Sequence, residues 1–337
     1  MLLKADLFST LFIDIRGEVV RVVQGKTMDE NLNFTVDKFG SVILPGHLGP
    51  HADSRLIAEN AARLEDFLAE SGMKAKRVIA GLGHTGVITR NVRVPKMSPG
   101  DLDNMMKLNI NDYLPVSPED YAFDYKVLDE IEEDGSEFLD LMVAAVSHDQ
   151  AERCYSLLEQ AGLRPVVFDV LPNMLHRLFG HLANRDIMVL DGGSDGTSLA
   201  VFKGKTLFVY ADIPFAVKPA GENDLSVLAG EMRGYLDYFS SRNFGKTVDN
   251  ITILGELAVL PGIDEMEELI GSIPITVSLS QAGDFSFKGK ANNFHELAAV
   301  YAGNLGLMMR ECKFRPTASV PVSPGMELSS GSRVMGA

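Results

Sequence analysis

Tryptophan is missing from the 337 residues, and cysteine occurs only at Cys154 and Cys312. Two thiols in helical patterns are too few for a disulfide scaffold, so buried thiols in a reducing compartment are expected. No uninterrupted apolar run reaches the roughly 18 residues that a membrane-spanning helix needs. Asp6 and Asp14 interrupt the apolar region that a signal peptide would require. A cytoplasmic location is therefore expected. The seven histidines form no HExxH or comparable cluster, and no metal site built from protein ligands is expected. A Ser, His or Cys triad is also lacking. Positive charge is scarce: Lys and Arg number 31 against 46 Asp and Glu, a net charge of −15. Nucleic-acid binding releases counterions to a positive protein surface, so this balance argues against it. A bare anionic membrane is unattractive for the same reason.

What the chain does have is apolar mass and a repeated turn. With 46% hydrophobic residues it can bury substantial cores, and its length favours two domains or lobes. The segment Leu190-Asp191-Gly192-Gly193-Ser194-Asp195-Gly196-Thr197 lies between two short apolar runs, as a strand, a tight turn and a returning strand. Glycine there lets backbone N–H groups approach an anion, and a strand-end aspartate is placed to hold a hydrated divalent cation. An acidic hairpin turn with no ligand is the plainer alternative. Near the N-terminus Ile13-Asp14-Ile15-Arg16-Gly17 repeats the pattern with an arginine in the loop. Two such turns are better explained by duplication of a fold than by chance.

Periodicity predicts strands near 11–16, 19–25 and 33–44, a helix over about 53–71 and a strand at 77–82. A second unit follows: a strand at 87–94, a helix from Pro99 to Tyr113 capped by Ser98, strands near 122–131 and 138–147, and a helix from Asp149 to Ala161. Its order, β-α-β-β-α, suits a small sheet with two helices. A strand at 164–170 and a helix over 172–184 lead to strands at 187–192, 197–203 and 206–213, which repeat the opening. A helix near 223–242 presents Leu225, Leu228, Ala229, Met232, Leu236 and Phe239 as a packing face. A strand at 251–255, a helix near 264–270, a short strand at 274–278 and a final helix over about 294–310 complete the pattern.

Several stretches in order resemble the PilM family of type IV pilus assembly proteins and the related cytoplasmic domains of type II secretion GspL proteins, within the actin and Hsp70-like superfamily. They are Val94-Pro95-Lys96-Met97-Ser98, Asn111-Asp112-Tyr113-Leu114-Pro115, Val143-Ala144-Ala145-Val146 and Leu158 to Pro165 with Asp169-Val170. Glu231-Met232-Arg233 with Leu236 to Phe239, Leu260-Pro261-Gly262 and Ala302 to Leu307 continue the series. The resemblance covers about residues 11–312. It implies an α/β, actin-like fold of duplicated ribonuclease H-like lobes with a 1C-type α/β insertion in the first lobe. The expected division is 1–83 and 163–185 as a 1A-like first-lobe core, 84–162 as the 1C-like insertion, 186–315 as a 2A/2B-like second lobe, and 316–337 as a flexible tail or linker.

By the same resemblance, members bind ATP with magnesium between the lobes and couple a cytoplasmic motor ring to an inner-membrane complex. Asp14, Arg16, Gly17, Asp191, Gly193, Ser194, Thr197, Arg233 and Gly255 are the implied nucleotide-facing positions, with Asp14 and Asp191 holding magnesium through water. Arg16 stands where the family has glycine, Arg21 where it often has lysine, and Glu256 in the adenosine motif. These departures weigh against efficient hydrolysis, so the cofactor is either ATP with magnesium or none. An active ATPase or small-molecule kinase of the superfamily is the alternative to a scaffold.

The implied partner is the cytoplasmic segment of a PilN-like or other single-span inner-membrane protein, which would hold this chain at the membrane periphery. A motor ATPase and self-association are further candidates. Met97, Leu102, Met105, Asp112, Tyr113, Leu114 and Val116 are the predicted partner-binding positions. Met106, Asp101 and Asp103 lie alongside them, and the acids suit a basic juxtamembrane segment. Core packing for the apolar members, and a solvated face for the acids, are the plainer alternatives.

Overall fold

The computed structural model describes residues 9–27, 33–83, 87–114, 116–181, 185–218, 223–271, 273–282, 285–291 and 293–310. The predicted tail at 316–337 and Cys312 lie outside these residues. Three strands come first among the described residues: β1 (Thr10–Arg16), β2 (Val19–Lys26) and β3 (Asn33–Ile43). Helix α1 (Ser54–Glu70) follows, started by the Asp53 carboxylate accepting the Leu56 amide at 2.8 Å. Its Ile57, Ala61, Leu64 and Leu68 recur at helical spacing and bury against the sheet. Full burial of one such leucine is worth about 1.5–3 kcal/mol. Strand β4 (Arg77–Leu82) then runs parallel to β1.

The inserted unit consists of β5 (Val87–Pro95), α2 (Pro99–Tyr113), β6 (Tyr121–Glu133), β7 (Ser136–Ser147) and α3 (His148–Gln160). Its three strands form a sheet in the order β5-β7-β6. One face of β7 supplies Leu139, Leu141, Val143 and Ala145 to a core with α2. The other face sends Met142, Ala144 and Val146 into the cores of the main body. Period-two alternation thus puts the insertion's own core on one side and its attachment to the first lobe on the other.

After β8 (Arg164–Val170) and α4 (Leu171–Phe179), the second lobe repeats the first: β9 (Asp186–Gly193), β10 (Gly196–Lys203), β11 (Thr206–Ile213), α5 (Leu225–Arg242), β12 (Asn250–Gly255), α6 (Met266–Ile270) and β13 (Ile275–Thr276). Apart from one short strand added at the β3 edge, the sheet orders are β3-β2-β1-β4-β8 and β11-β10-β9-β12-β13. Each is three antiparallel strands followed by two parallel ones, with the first strand of the lobe at the centre. This is the duplicated ribonuclease H-like core of an actin-like fold.

Two expectations need correction. The final helix breaks into α7 (Phe294–Leu297) and α8 (Ala302–Met308). The stretch assigned to the second lobe through residue 315 also returns to the first. Strand β14 (Ser286–Lys288), not predicted from sequence, lies parallel to β3 at the edge of the first sheet. Helix α8 packs on α4 and the first sheet. Phe287 and Phe294 stack into an aromatic cluster with Phe34, Phe39 and Tyr301, with ring centroids 5.0–5.6 Å apart. Aromatic burial on the first lobe outweighs the weak local signal of a three-residue strand.

Candidate functional site

The two predicted loops face each other in the cleft. Asp14 pairs with Arg21, and Arg16 with Val19, across the β1–β2 hairpin. Asp191 pairs with Ser198, and Gly193 with Gly196, across the β9–β10 hairpin. Both hairpins therefore have the same two-residue turn. In that register Arg16 corresponds to Gly193 and Arg21 to Ser198. The hairpin tips touch: a Cβ on Gly17, whose φ is +57°, would lie 2.7 Å from Asp195 Cβ. A side chain there would push the loops apart.

Arg16 fills the space between the aspartates. Its Nε donates to Asp14 Oδ1 at 2.9 Å and its Nη2 to Asp191 Oδ2 at 3.0 Å. Arg16, Asp14 and Asp191 are each no more than 2% exposed. Burial opposes the charge on Arg16, but the Asp14 and Asp191 carboxylates outweigh it and hold its pKa well above the ordinary arginine value. Burial pushes the Asp191 carboxyl up, while Arg16 pulls it down.

A second ion pair crosses the cleft. Arg21 Nη2, buried on β2, donates to Glu256 Oε1 at 2.7 Å from the turn after β12. Burial raises the Glu256 pKa, and the Ser194 backbone amide facing the carboxylate favours the charged form. Below them, Asn304 Nδ2 donates to the carbonyls of Phe12 at 2.9 Å and Arg21 at 3.0 Å. Gly303 lets α8 come this close, because a Cβ there would lie 2.3 Å from Asp14 Oδ2.

The cleft thus brings together Asp14, Arg16, Gly17, Asp191, Gly193 and Ser194, with Gly255 ending β12 opposite Gly192. Two predicted positions have other tasks. The Thr197 hydroxyl, fully buried, donates to the Phe215 carbonyl at 2.7 Å, so it holds the following loop. Arg233 is exposed on α5 and donates to the Leu269 carbonyl, which directs it to α6 instead of the cleft. Sequence reasoning assigned no role to Gly303 or Asn304. Their motif, Ala302 to Leu307, was visible, but its contact with Asp14 was not. Among the described residues no cluster of three or more His, Cys, Asp or Glu is arranged to hold a metal ion.

The predicted partner positions divide by burial. Leu102 and Leu114 are 3% and 1% exposed and belong to the insertion's core. Their expected role as partner contacts is corrected: α2 spends them on its own sheet. Met106 is buried with them. Met97, Met105, Tyr113 and Val116 are half-buried at the margin of that core, while Asp101, Asp103 and Asp112 are exposed. The predicted strand near 122–131 is the neighbouring edge strand β6, whose aromatic row was not singled out from sequence. On β6 the alternating Tyr121, Phe123, Tyr125 and Val127 pack against the same core while remaining half-exposed. Tyr125 Oη donates to Asp103 on α2.

The opposite face of β6 is electrostatically different. Lys126 Nζ bonds Asn173 Oδ1 at 3.1 Å and lies 2.9 Å from His176 Nδ1, both on α4. Burial, with Arg177 adding to it, pushes Lys126 down to about 7. Asp169 Oδ2 accepts from Arg177 at 2.6 Å and Arg310 at 3.3 Å, which hold its carboxyl below the usual range against the cost of burial. This cluster joins the insertion to the first lobe. Among the described residues no helix is long and apolar enough to cross a membrane.

The family model described as type IV pilus assembly protein PilM matches residues 12–212. Among solved structures, the PilM–PilN type IV pilus biogenesis complex matches with a TM-score of 0.71 and 21% identity, covering 89% of this chain and 98% of that one. The cytoplasmic domain of EpsL, an inner-membrane component of the type II secretion system of Vibrio cholerae, has a TM-score of 0.44 at 14% identity, covering 91% and 96%. A protein from Bacteroides thetaiotaomicron with an actin-like ATPase fold has a TM-score of 0.45 at 14% identity, covering 84% and 95%.

Proposed function

We propose a function from one premise: the chain belongs to the family of type IV pilus assembly protein PilM. It serves as an actin-like component of an inner-membrane assembly complex and binds the cytoplasmic segment of a PilN-like membrane protein through its inserted subdomain. The half-exposed row of Tyr121, Phe123, Tyr125 and Val127 on an edge strand carries this reading. An edge strand offers unpaired backbone groups to an extended peptide, and alternate side chains offer pockets. Exposed Asp101, Asp103 and Asp112 on the adjoining helix complement a basic juxtamembrane segment. The membrane partner would hold the protein at the membrane periphery. A motor ATPase and further copies of the chain would use other surfaces, for which exposed Val227, Tyr238 and Phe244 are candidates.

The test is titration of the full chain with a synthetic peptide of the partner's cytoplasmic segment. Saturable binding that weakens in Tyr125→Ala, and with Asp103→Lys and Asp112→Lys as salt is raised less steeply, supports the assignment. Absence of binding, or binding unchanged in all three variants, rejects it. Leu114 is unsuitable as a probe because its substitution removes core volume.

A further inference from the structure

Magnesium and a nucleotide do not fit this cleft. Between the two loop aspartates, where a hydrated cation would lie, the Arg16 guanidinium is bonded to both at 2.9 and 3.0 Å. Above the second loop, where backbone amides would receive phosphate, stands a carboxylate. Glu256 Oε2 would be 4.0 Å from a Cβ placed on Gly193, and the Ser194 amide faces it. Arg21 fixes that carboxylate from the opposite lobe at 2.7 Å. Counting Asp195, whose charge acts on both Arg16 and Glu256, two guanidinium groups face four carboxylates. The excess is negative, so a polyphosphate meets like charge as well as occupied space.

We infer that the cleft is liganded by the chain itself, with Arg16 in place of the metal cation and Glu256 in place of a phosphate, and that these two side chains hold the lobes closed without nucleotide. Each crossing pair joins the first lobe to the second, Arg16 to Asp191 and Arg21 to Glu256. Here the bridge is covalently part of the chain and its charges do not leave. Arginine suits the position because its guanidinium offers several donors in a fixed plane, which the lysine ammonium does not. The inference concerns the cleft alone and is independent of peptide binding at β6.

Two measurements test it. Calorimetric titration of the wild-type chain with Mg-ATP and with Mg-ADP should give no saturable binding up to millimolar nucleotide. Saturable binding of either one overturns the inference. Thermal unfolding of Arg16→Gly should begin roughly 5–10 °C below wild type, because two buried carboxylates lose their counter-charge. Millimolar MnCl2 or MgCl2 should restore the midpoint saturably in the variant and leave wild type unmoved. A variant as stable as wild type without added cation, or one that no divalent cation restores, overturns the inference. If Arg16→Gly does not fold in plain buffer, refolding it with and without MnCl2 is the readout: cation-dependent recovery supports the inference, and no recovery counts against it. Arg16→Lys, which keeps the charge, should fold and remain insensitive to divalent cations.

Discussion

The two hairpins of the cleft share one backbone register and differ in what they put on it. At the position where the second lobe has Gly193, the first has Arg16. Where the second has Ser198, the first has Arg21. The bare second loop leaves room, and the two arginines of the first loop bring charge into it. The two hairpins therefore share one backbone geometry while their side chains complement each other across the cleft. By contrast, the row on β6 packs one side against the insertion's core and stays half-exposed on the other. The cleft is thus filled from inside, whereas the β6 face stays half-exposed.

The largest expected effect comes from removing the charge that distinguishes the first hairpin. Arg16→Met should lower unfolding stability by about 3–5 kcal/mol, since Asp14 and Asp191 remain buried without compensation. Urea denaturation checks this, and a loss under about 1 kcal/mol would break the comparison between the loops. The next effect concerns the helix that supports them. Gly303→Ala places a methyl against Asp14 and should cost about 1–3 kcal/mol through overpacking. The same unfolding curves measure it, and an unchanged midpoint would mean that α8 does not constrain the first loop.

The smallest effect per measured step is a pH dependence outside the cleft. Lys126 binds its proton less tightly in the folded protein, at about 7, than in the unfolded chain. Stability from this group is fully present above the unfolded value near 10.4 and is lost as pH falls through about 7. The slope should be at most about 1.4 kcal/mol per pH unit and should vanish in Lys126→Met. Arg16→Met should retain the slope, because arginine does not titrate in this range. A slope that follows Arg16 instead would place the pH-sensitive joint in the cleft and not under the insertion.

Much of the architecture was legible in sequence because its signals are local. The short apolar runs of β1 and β9, the apolar face of α1 and the Ser98-Pro99 start of α2 each involve neighbouring residues. Asp14 and Asp191 stand out as strand-end acids before tight turns for the same reason, and the family resemblance implied that they, with Arg16, face a cleft. The roles of Leu102 and Leu114 were misread because helical spacing marks an apolar face without saying whether a sheet or a partner covers it. Strand β14 escaped notice because three residues carry too little pattern, and its pairing with β3 depends on segments some 250 residues apart. Thr197 and Arg233 kept their motif positions while their hydrogen bonds went elsewhere.

By itself the sequence determined two duplicated lobes, an α/β insertion between strands of the first, an acidic surface and an arginine in one of two matching turns. Those features follow from periodicity, turn chemistry and charge, which act over a few residues. Only the tertiary structure decided that Arg16 binds Asp191, 175 residues away, that Arg21 reaches Glu256, and that the chain's last described helices return to the first lobe. The reason is physical: whether a buried charge is a defect or a clamp depends on which distant carboxylates the folded backbone brings within hydrogen-bond distance.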